Sequence, residues 1–333
     1  MSAGTGSGLF RPPGLVEDGG MTHSLWPDLV YAQWRDTAQS LQLWMQVVGK
    51  VRLALTPWLN HSWQVPFYVT TRGLGTSLIP SGGEAIDLEF DFIQHRLVGR
   101  SSRGEVAALD LKPMPVADFY AGVLQLLQKL GTVAAINPVP SELPEPVAFA
   151  DDHRQRSYDK DAAHRFWRVL LQADRLLKHF RTGFLGKASP VHLFWGGFDL
   201  AVTRFSGRRA PLHPGGIPGL SDRVTREAYS HEVSSAGFWP GSEQSPHAAF
   251  YSYAYPQPAG FATASVPDGA TFDAAMGEFI LPYDSVRAAG DPDALVMAFL
   301  QATYAAAASL GAWDRDALEC DLGAPNRPRF VSS

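Results

Sequence analysis

The chain has 333 residues, 45% of them apolar and 18% charged, with a formal net charge of −5. That is the make-up of an ordinary globular protein, and it offers no basic footprint for nucleic acid. Its longest uninterrupted apolar runs, around Ala305–Ala308, fall short of the ~20 residues a membrane span needs.

One cysteine, Cys320, excludes an internal disulfide and fits a reducing cytoplasm. Residues 1–20 lack the charged start and apolar middle of a signal peptide and read as a disordered leader. Trp26-Pro27-Asp28 marks a helix entry, with proline where its missing N–H costs nothing. Leu29, Trp34, Ala38, Leu41, Met45, Val48 and Val51 then recur at three or four residues, which predicts an amphipathic helix to about Leu55. Pro57 ends it. The stretch from Pro57 to Trp63, with His61 between two tryptophans, reads as a structural corner that could reach an interdomain cleft.

Strands follow. Val65–Thr71 and a glycine turn at Arg72–Gly75 suggest a hairpin. Ile86, Leu88, Phe90 and Phe92 alternate with Asp87, Glu89 and Asp91, the pattern of a half-buried antiparallel strand with its carboxylates on a solvated face. His95–Val98 and Val106–Leu111 continue the meander, and a helix over Phe119–Leu130 closes it, with Gly131 as its C-cap.

Residues 136–155 hold Pro138, Pro140, Pro144 and Pro146 without helical period and read as a linker. The pattern then restarts: a helix over about Lys160–Phe180, a strand at Val191–Trp195, the turn Gly196–Asp199, strands at Phe250–Tyr255 and Met276–Pro282, and a helix over Asp293–Leu310 ending at Gly311. Tryptophan, hairpin glycine, terminal proline and capping glycine recur in the same order in both parts. The expected fold class is therefore α+β: two related helix–antiparallel meander–helix halves (21–135 and 156–322) made by internal duplication, with a pocket on or near the second. A loose tail follows at 323–333. Residues 206–246 have no counterpart in the first half and read as an inserted loop.

Long loops in compact domains tend to be functional or disordered, and the aromatic content here opposes disorder. His213, His231 and Glu232 lie in this segment, with His192 and Asp199 on the hairpin before it. His213, His231 and Asp199 have the chemistry of zinc or iron ligands, although no diagnostic His/Glu spacing occurs. Without a metal, His231, Glu232 and Asp199 are the candidate catalytic acid/base groups. On an extended strand His231 and Glu232 point to opposite faces, so only one of them could serve a shared site. Trp195, Phe198, Trp239, Tyr251 and Tyr253 are the candidate ligand-binding aromatics, and Tyr251, Tyr253 and Tyr255 share one strand face. For each residue the plainer account is a braced loop or core packing. No phosphate-binding glycine loop or serine elbow is present. The functional expectation is a small-molecule enzyme using metal-assisted or acid/base chemistry in an aromatic-lined pocket. The alternative is a non-catalytic small-ligand-binding protein with structural histidines. The expected partner is a small molecule, with neither nucleic acid nor membrane.

Four segments carry a resemblance: Leu59–Pro66 (LNHSWQVP), Phe194–Leu200 (FWGGFDL), Ser230–Gly241 (SHEVSSAGFWPG) and Ala312–Arg315 (AWDR). They resemble an uncharacterised bacterial family catalogued as a domain of unknown function, over about Trp26 to Leu318. The resemblance implies a bacterial, cytoplasmic, single-chain protein and supplies no activity or catalytic residues.

Overall fold

The computed structural model describes residues 25–217 and 219–329; the expected leader at 1–20 and the last residues of the tail lie outside them. The first half consists of α1 (Tyr31–Leu55), β1 (Tyr68–Val69), β2 (Gly73–Gly75), β3 (Ile79–Ser81), β4 (Glu84–Asp91), β5 (Arg96–Ser101), β6 (Val106–Asp110) and α2 (Val116–Lys129). The second opens with α3 (Lys160–Arg181), β7 (His192–Phe194), β8 (Asp199–Arg209), α4 (Asp222–Ala228), β9 (His231–Trp239) and β10 (Ala249–Tyr255). It closes with β11 (Thr271–Asp273), β12 (Glu278–Pro282), α5 (Tyr283–Ala288), α6 (Pro292–Leu310) and α7 (Arg315–Leu318).

This is a mixed α+β fold with two antiparallel sheets. Their orders are β1-β2-β4-β5-β6, with β3 on β4, and β7-β8-β9-β10-β12-β11. They meet at their first strands, where Phe67 and Leu193 exchange backbone hydrogen bonds of 2.9 and 2.8 Å.

Helix α1 is less one-sided than its stripe predicts. From Trp34 to Arg52 it is buried on nearly every side, because it serves both halves. Trp34 stacks on Phe166 and Phe198 at 4.9 and 6.4 Å, whereas Trp44 stacks on Phe119 of α2 at 4.9 Å. The helix also starts later than the Trp26–Pro27 signal indicates. Trp26 packs on Phe250 and Tyr283 instead, and the Pro27 carbonyl accepts the Tyr283 hydroxyl at 2.6 Å.

On β4 the alternation holds for Ile86, Leu88 and Phe90, all buried, and Arg100 reaches across to Asp87 and Glu89 at 3.0 and 2.9 Å. Asp91 departs from the expected solvated row. It is 2% exposed, accepts the backbone N–H groups of Ile93 and Gln94, and pairs with Arg72 at 2.6 Å. It holds a turn.

The supposed loop 206–246 is largely sheet. Ser206–Arg209 lengthens β8, and β9 is an inner strand between β8 and β10. Val233–Phe238 are buried consecutively, so the small residues Ser234, Ser235, Ala236 and Gly237 show no period of two. Within 206–246, residues 210–230, which carry α4, and 240–246 leave the sheet. Among the described residues α6 alone is long and apolar enough to cross a membrane. Gln301 and Thr303 interrupt its apolar run and hide that property from a search for unbroken stretches. Its Val296, Phe299, Leu300, Ala307 and Ala308 are buried, and it packs on α3, β9 and β10.

Candidate functional site

A cavity of about 500 Å³ lies against the outer face of the second sheet. Its walls are residues 137–142 of the proline-rich segment, the Trp58–Val65 corner, Lys50 of α1, and the 217–229 stretch around α4.

Strand register builds the floor. Ala201, Gly237 and Tyr251 form one row, and Thr203, Ser235 and Tyr253 the next. Glycine is required at 237: a Cβ there would sit 2.6 Å from the Tyr251 hydroxyl. The open space lets the Tyr251 ring lie across β9, and its hydroxyl donates to Asp199 at the start of β8. Tyr253 stacks on Tyr251 (6.2 Å, 13°), and its hydroxyl is 2.9 Å from that of Tyr229.

Helix α1 lines the cavity through Lys50 and Leu53, and Gln42 and Gln46 lie on the Lys50 face at four-residue spacing. Gln42 donates to the Gly196 carbonyl at 2.8 Å. Gln46 holds both backbone groups of Ser141, donating to its carbonyl at 2.9 Å and accepting its N–H at 2.6 Å. Lys50 donates to the Ser141 hydroxyl at 3.1 Å. These bonds fix Ser141 and carry the next residue, Glu142, into the cavity. Glu142 has φ 58°, a left-handed conformation that is costly for a residue with a Cβ. Its N–H bonds the Gly219 carbonyl at 3.2 Å, and its carboxyl occupies space that a Cβ on Gly196 would fill. No hydrogen bond reaches that carboxyl among the described residues.

The electrostatics follow from burial. The Asp199 carboxyl is pushed up to about 6, chiefly because burial disfavours its charge, while the Tyr251 hydroxyl and a backbone N–H partly offset this. Glu142 rises to about 7, through burial first and then the charge of Asp199. Glu278, on the strand beside β10, also rises to about 7, from burial and then from Asp199 and Asp273. Burial likewise raises Tyr229, Tyr251 and Tyr253. Burial lowers Lys50 and His61. His61 Nδ1 lies 3.1 Å from the Ala228 carbonyl and so carries the proton; Nε2 accepts from Lys187 at 2.6 Å. The imidazole is neutral in this arrangement. Two carboxyl groups of unequal acidity thus face one aromatic cavity, a setting suited to an acid and a base working together.

Of the residues expected from the sequence, Asp199, Trp195, Tyr251 and Tyr253 line the cavity. The others lie elsewhere. His231 bonds Ser230 at 3.0 Å, with its ring 6.3 Å from His61. Glu232 points away and is held by Ser206 at 2.8 Å and Arg208 at 2.6 Å. His213 stacks on Tyr229 at 4.7 Å and accepts the Gly215 N–H at 3.0 Å, bracing the strap from behind. Phe198 is a core ring on Phe166 and Trp34, and Trp239 lies opposite Ala249 outside the lining. His192 is 1% exposed, and burial pulls it down to about 3. Among the described residues no group of three or more His, Cys, Asp or Glu could hold a metal ion. His213, His231 and Asp199 therefore do not form the expected zinc or iron site.

Sequence reasoning missed Glu142, Lys50 and Tyr229, and it left His61 as a corner. Lys50 had a signal: Gln42, Gln46 and Lys50 form a polar line within the otherwise apolar stretch Leu41–Val51. Glu142 had none, since a lone glutamate in a proline-rich segment looks like solvent-facing linker.

The fold and cavity define an α+β protein with a cavity floored by its second sheet. The chain belongs to the family of unknown function DUF5996, whose family model matches residues 26–320. Neither the curated proteins nor the solved structures hold a match to it.

Proposed function

We propose that the protein is a small-molecule enzyme that performs proton transfer in this cavity, with Asp199 as the base and Glu142 as the acid. One observation carries the reading: both carboxyl groups face the same aromatic-lined space, and both are held well above their ordinary range, at about 6 and about 7. The Tyr251 hydroxyl donates to Asp199 and favours its ionised form, whereas no donor among the described residues reaches the Glu142 carboxyl, which suits Asp199 to the role of base and Glu142 to that of acid. Tyr251 orients Asp199 through its hydrogen bond, and Trp63, Trp195 and Tyr253 give a planar or apolar ligand surfaces to pack on. A cytoplasmic location fits the single cysteine.

The enlarged second half is the natural owner of such a site if the halves, 21–135 and 156–322, are copies. The matching strand orders support duplication, with β1 and β7 adjacent at the centre and β3 and β11 as the unmatched strands. So does the placement of a helix before and after each meander.

Incubation of the purified protein with a bacterial small-molecule extract, followed by mass spectrometry, tests the function. A compound converted by the wild type and untouched by Asp199→Asn and Glu142→Gln is the expected result. A compound retained by the wild type but never converted would make the protein a binding module instead.

A further inference from the structure

The cavity holds a polar group that proton transfer leaves unused. Lys50 is 3% exposed and lines the cavity, yet among the described residues its ammonium has no carboxylate within ion-pair distance. Among them its one hydrogen-bond partner is the Ser141 hydroxyl, at 3.1 Å, and the Trp195 ring centre lies 5.7 Å away. An ammonium has three N–H donors, so most of its capacity is unmet. Buried charges are ordinarily paired, because isolation from water without a partner is strongly unfavourable. Lys50 is also the sole lysine or arginine among the described lining residues, and the other basic group there, His61, is held neutral by Ala228 and Lys187.

The support for Lys50 is built rather than incidental. Gln46, itself 0% exposed, grips Ser141 by both backbone groups, so the one protein atom that Lys50 meets is fixed in place. Glu142 is the next residue, yet neither it nor Asp199 forms an ion pair with Lys50, so the cavity holds an unpaired cation as well as two carboxyl groups.

We propose that the natural ligand is a small monocarboxylate with an apolar or aromatic body, its carboxylate paired with Lys50. The inference rests on the proposed function for the role of the two carboxyl groups, Asp199 and Glu142, which the reacting group would meet. A phosphate fits less well, since a dianion calls for several donors or a guanidinium fork, and this wall offers a single amine. The ligand's carboxylate would supply the missing counter-charge, and the Trp195 and Tyr251 rings would hold its body.

Calorimetric titration of the full chain with phenylacetate, 3-phenylpropionate and indole-3-acetate, each beside its primary amide, tests this. A charge-assisted hydrogen bond distinguishes acid from amide by about tenfold or more. The expected result is at least one acid binding with that advantage, which Lys50→Met abolishes and Lys50→Arg largely keeps. Methionine matches the stem of lysine without its charge, so the fold should tolerate it. Should Lys50→Met fail to fold, the acid–amide comparison in the wild type decides alone. Equal affinity for acids and amides, no binding by any acid, or undiminished preference in Lys50→Met overturns the proposal. Acid binding without any turnover would sink the enzyme reading and leave this one standing; turnover of a neutral compound would do the reverse.

Discussion

The outer faces of the two sheets carry similar groups in opposite surroundings. On the first, Asp87 and Glu89 stand beside Arg100, whose side chain is 40% exposed, and form water-screened ion pairs. On the second, Asp199 shares a cavity with the 137–142 segment and the stretch around α4, and among the described residues Tyr251 is its only side-chain hydrogen-bond partner. A carboxylate on an open meander is surface decoration, whereas one beneath a cover becomes a titrating group near neutral pH. The cover makes the difference, because antiparallel sheets tolerate water on one face and acquire a pocket only where a connection folds back over it.

The comparison breaks most sharply in activity. Asp199→Asn should lower turnover of the converted compound about 100- to 10,000-fold, the range for loss of a general base, while Glu89→Gln leaves it unchanged in the same mass-spectrometric assay. Next in size is a glycine pair. Gly237→Ala places a Cβ against the Leu200 carbonyl and the Tyr251 hydroxyl and should cost about 1–3 kcal/mol. Gly75→Ala on the first sheet meets the Thr70 methyl at 3.2 Å and the Leu88 carbonyl at 4.0 Å, and should cost less; urea denaturation of the two variants compares them.

Stability should also respond to pH through the covered carboxyl. The folded state holds the Glu142 proton up to about 7, and the unfolded chain releases it near the ordinary glutamate value. Unfolding therefore releases a proton between those values, so this group makes stability fall as pH rises through the window. Glu142→Gln should flatten that fall, measured as melting temperature from pH 4 to 8. The smallest effect belongs to the open face: Arg100→Gln should change stability by less than about 1 kcal/mol, and less still in high salt.

Much of the frame was legible in the chain. Apolar periodicity predicted α1, α2, α3 and α6, and alternation predicted β4. Pro57, Gly131 and Gly311 marked the ends of α1, α2 and α6 because their effects are local, whereas Pro27 announced a helix that begins only at Tyr31. The site was harder. Asp199 and the tyrosines of β10 were found because a row of aromatics on one strand face is a local pattern. Glu142 and Lys50 owe their roles to partners far along the chain, Ser141 with Gln46 and Glu142 with Gly196, which no window contains. β9 was mistaken for a loop because burial on both faces with small side chains erases the two-residue period. His231 and Glu232 looked active on chemistry alone, and hydrogen bonds that sequence does not reveal engage them elsewhere.

One arrangement has a bearing on how this chain can be divided. The first helix lays Trp34 among rings of the second half and Trp44 among those of its own, so it acts as a keel common to both. Cleavage in the proline-rich segment would then yield pieces that are each incomplete: the C-terminal one lacks the indole that covers Phe166 and Phe198, and the N-terminal one leaves that indole in water. Expressed separately they should aggregate, and expressed together they should reassemble, as a split reporter does.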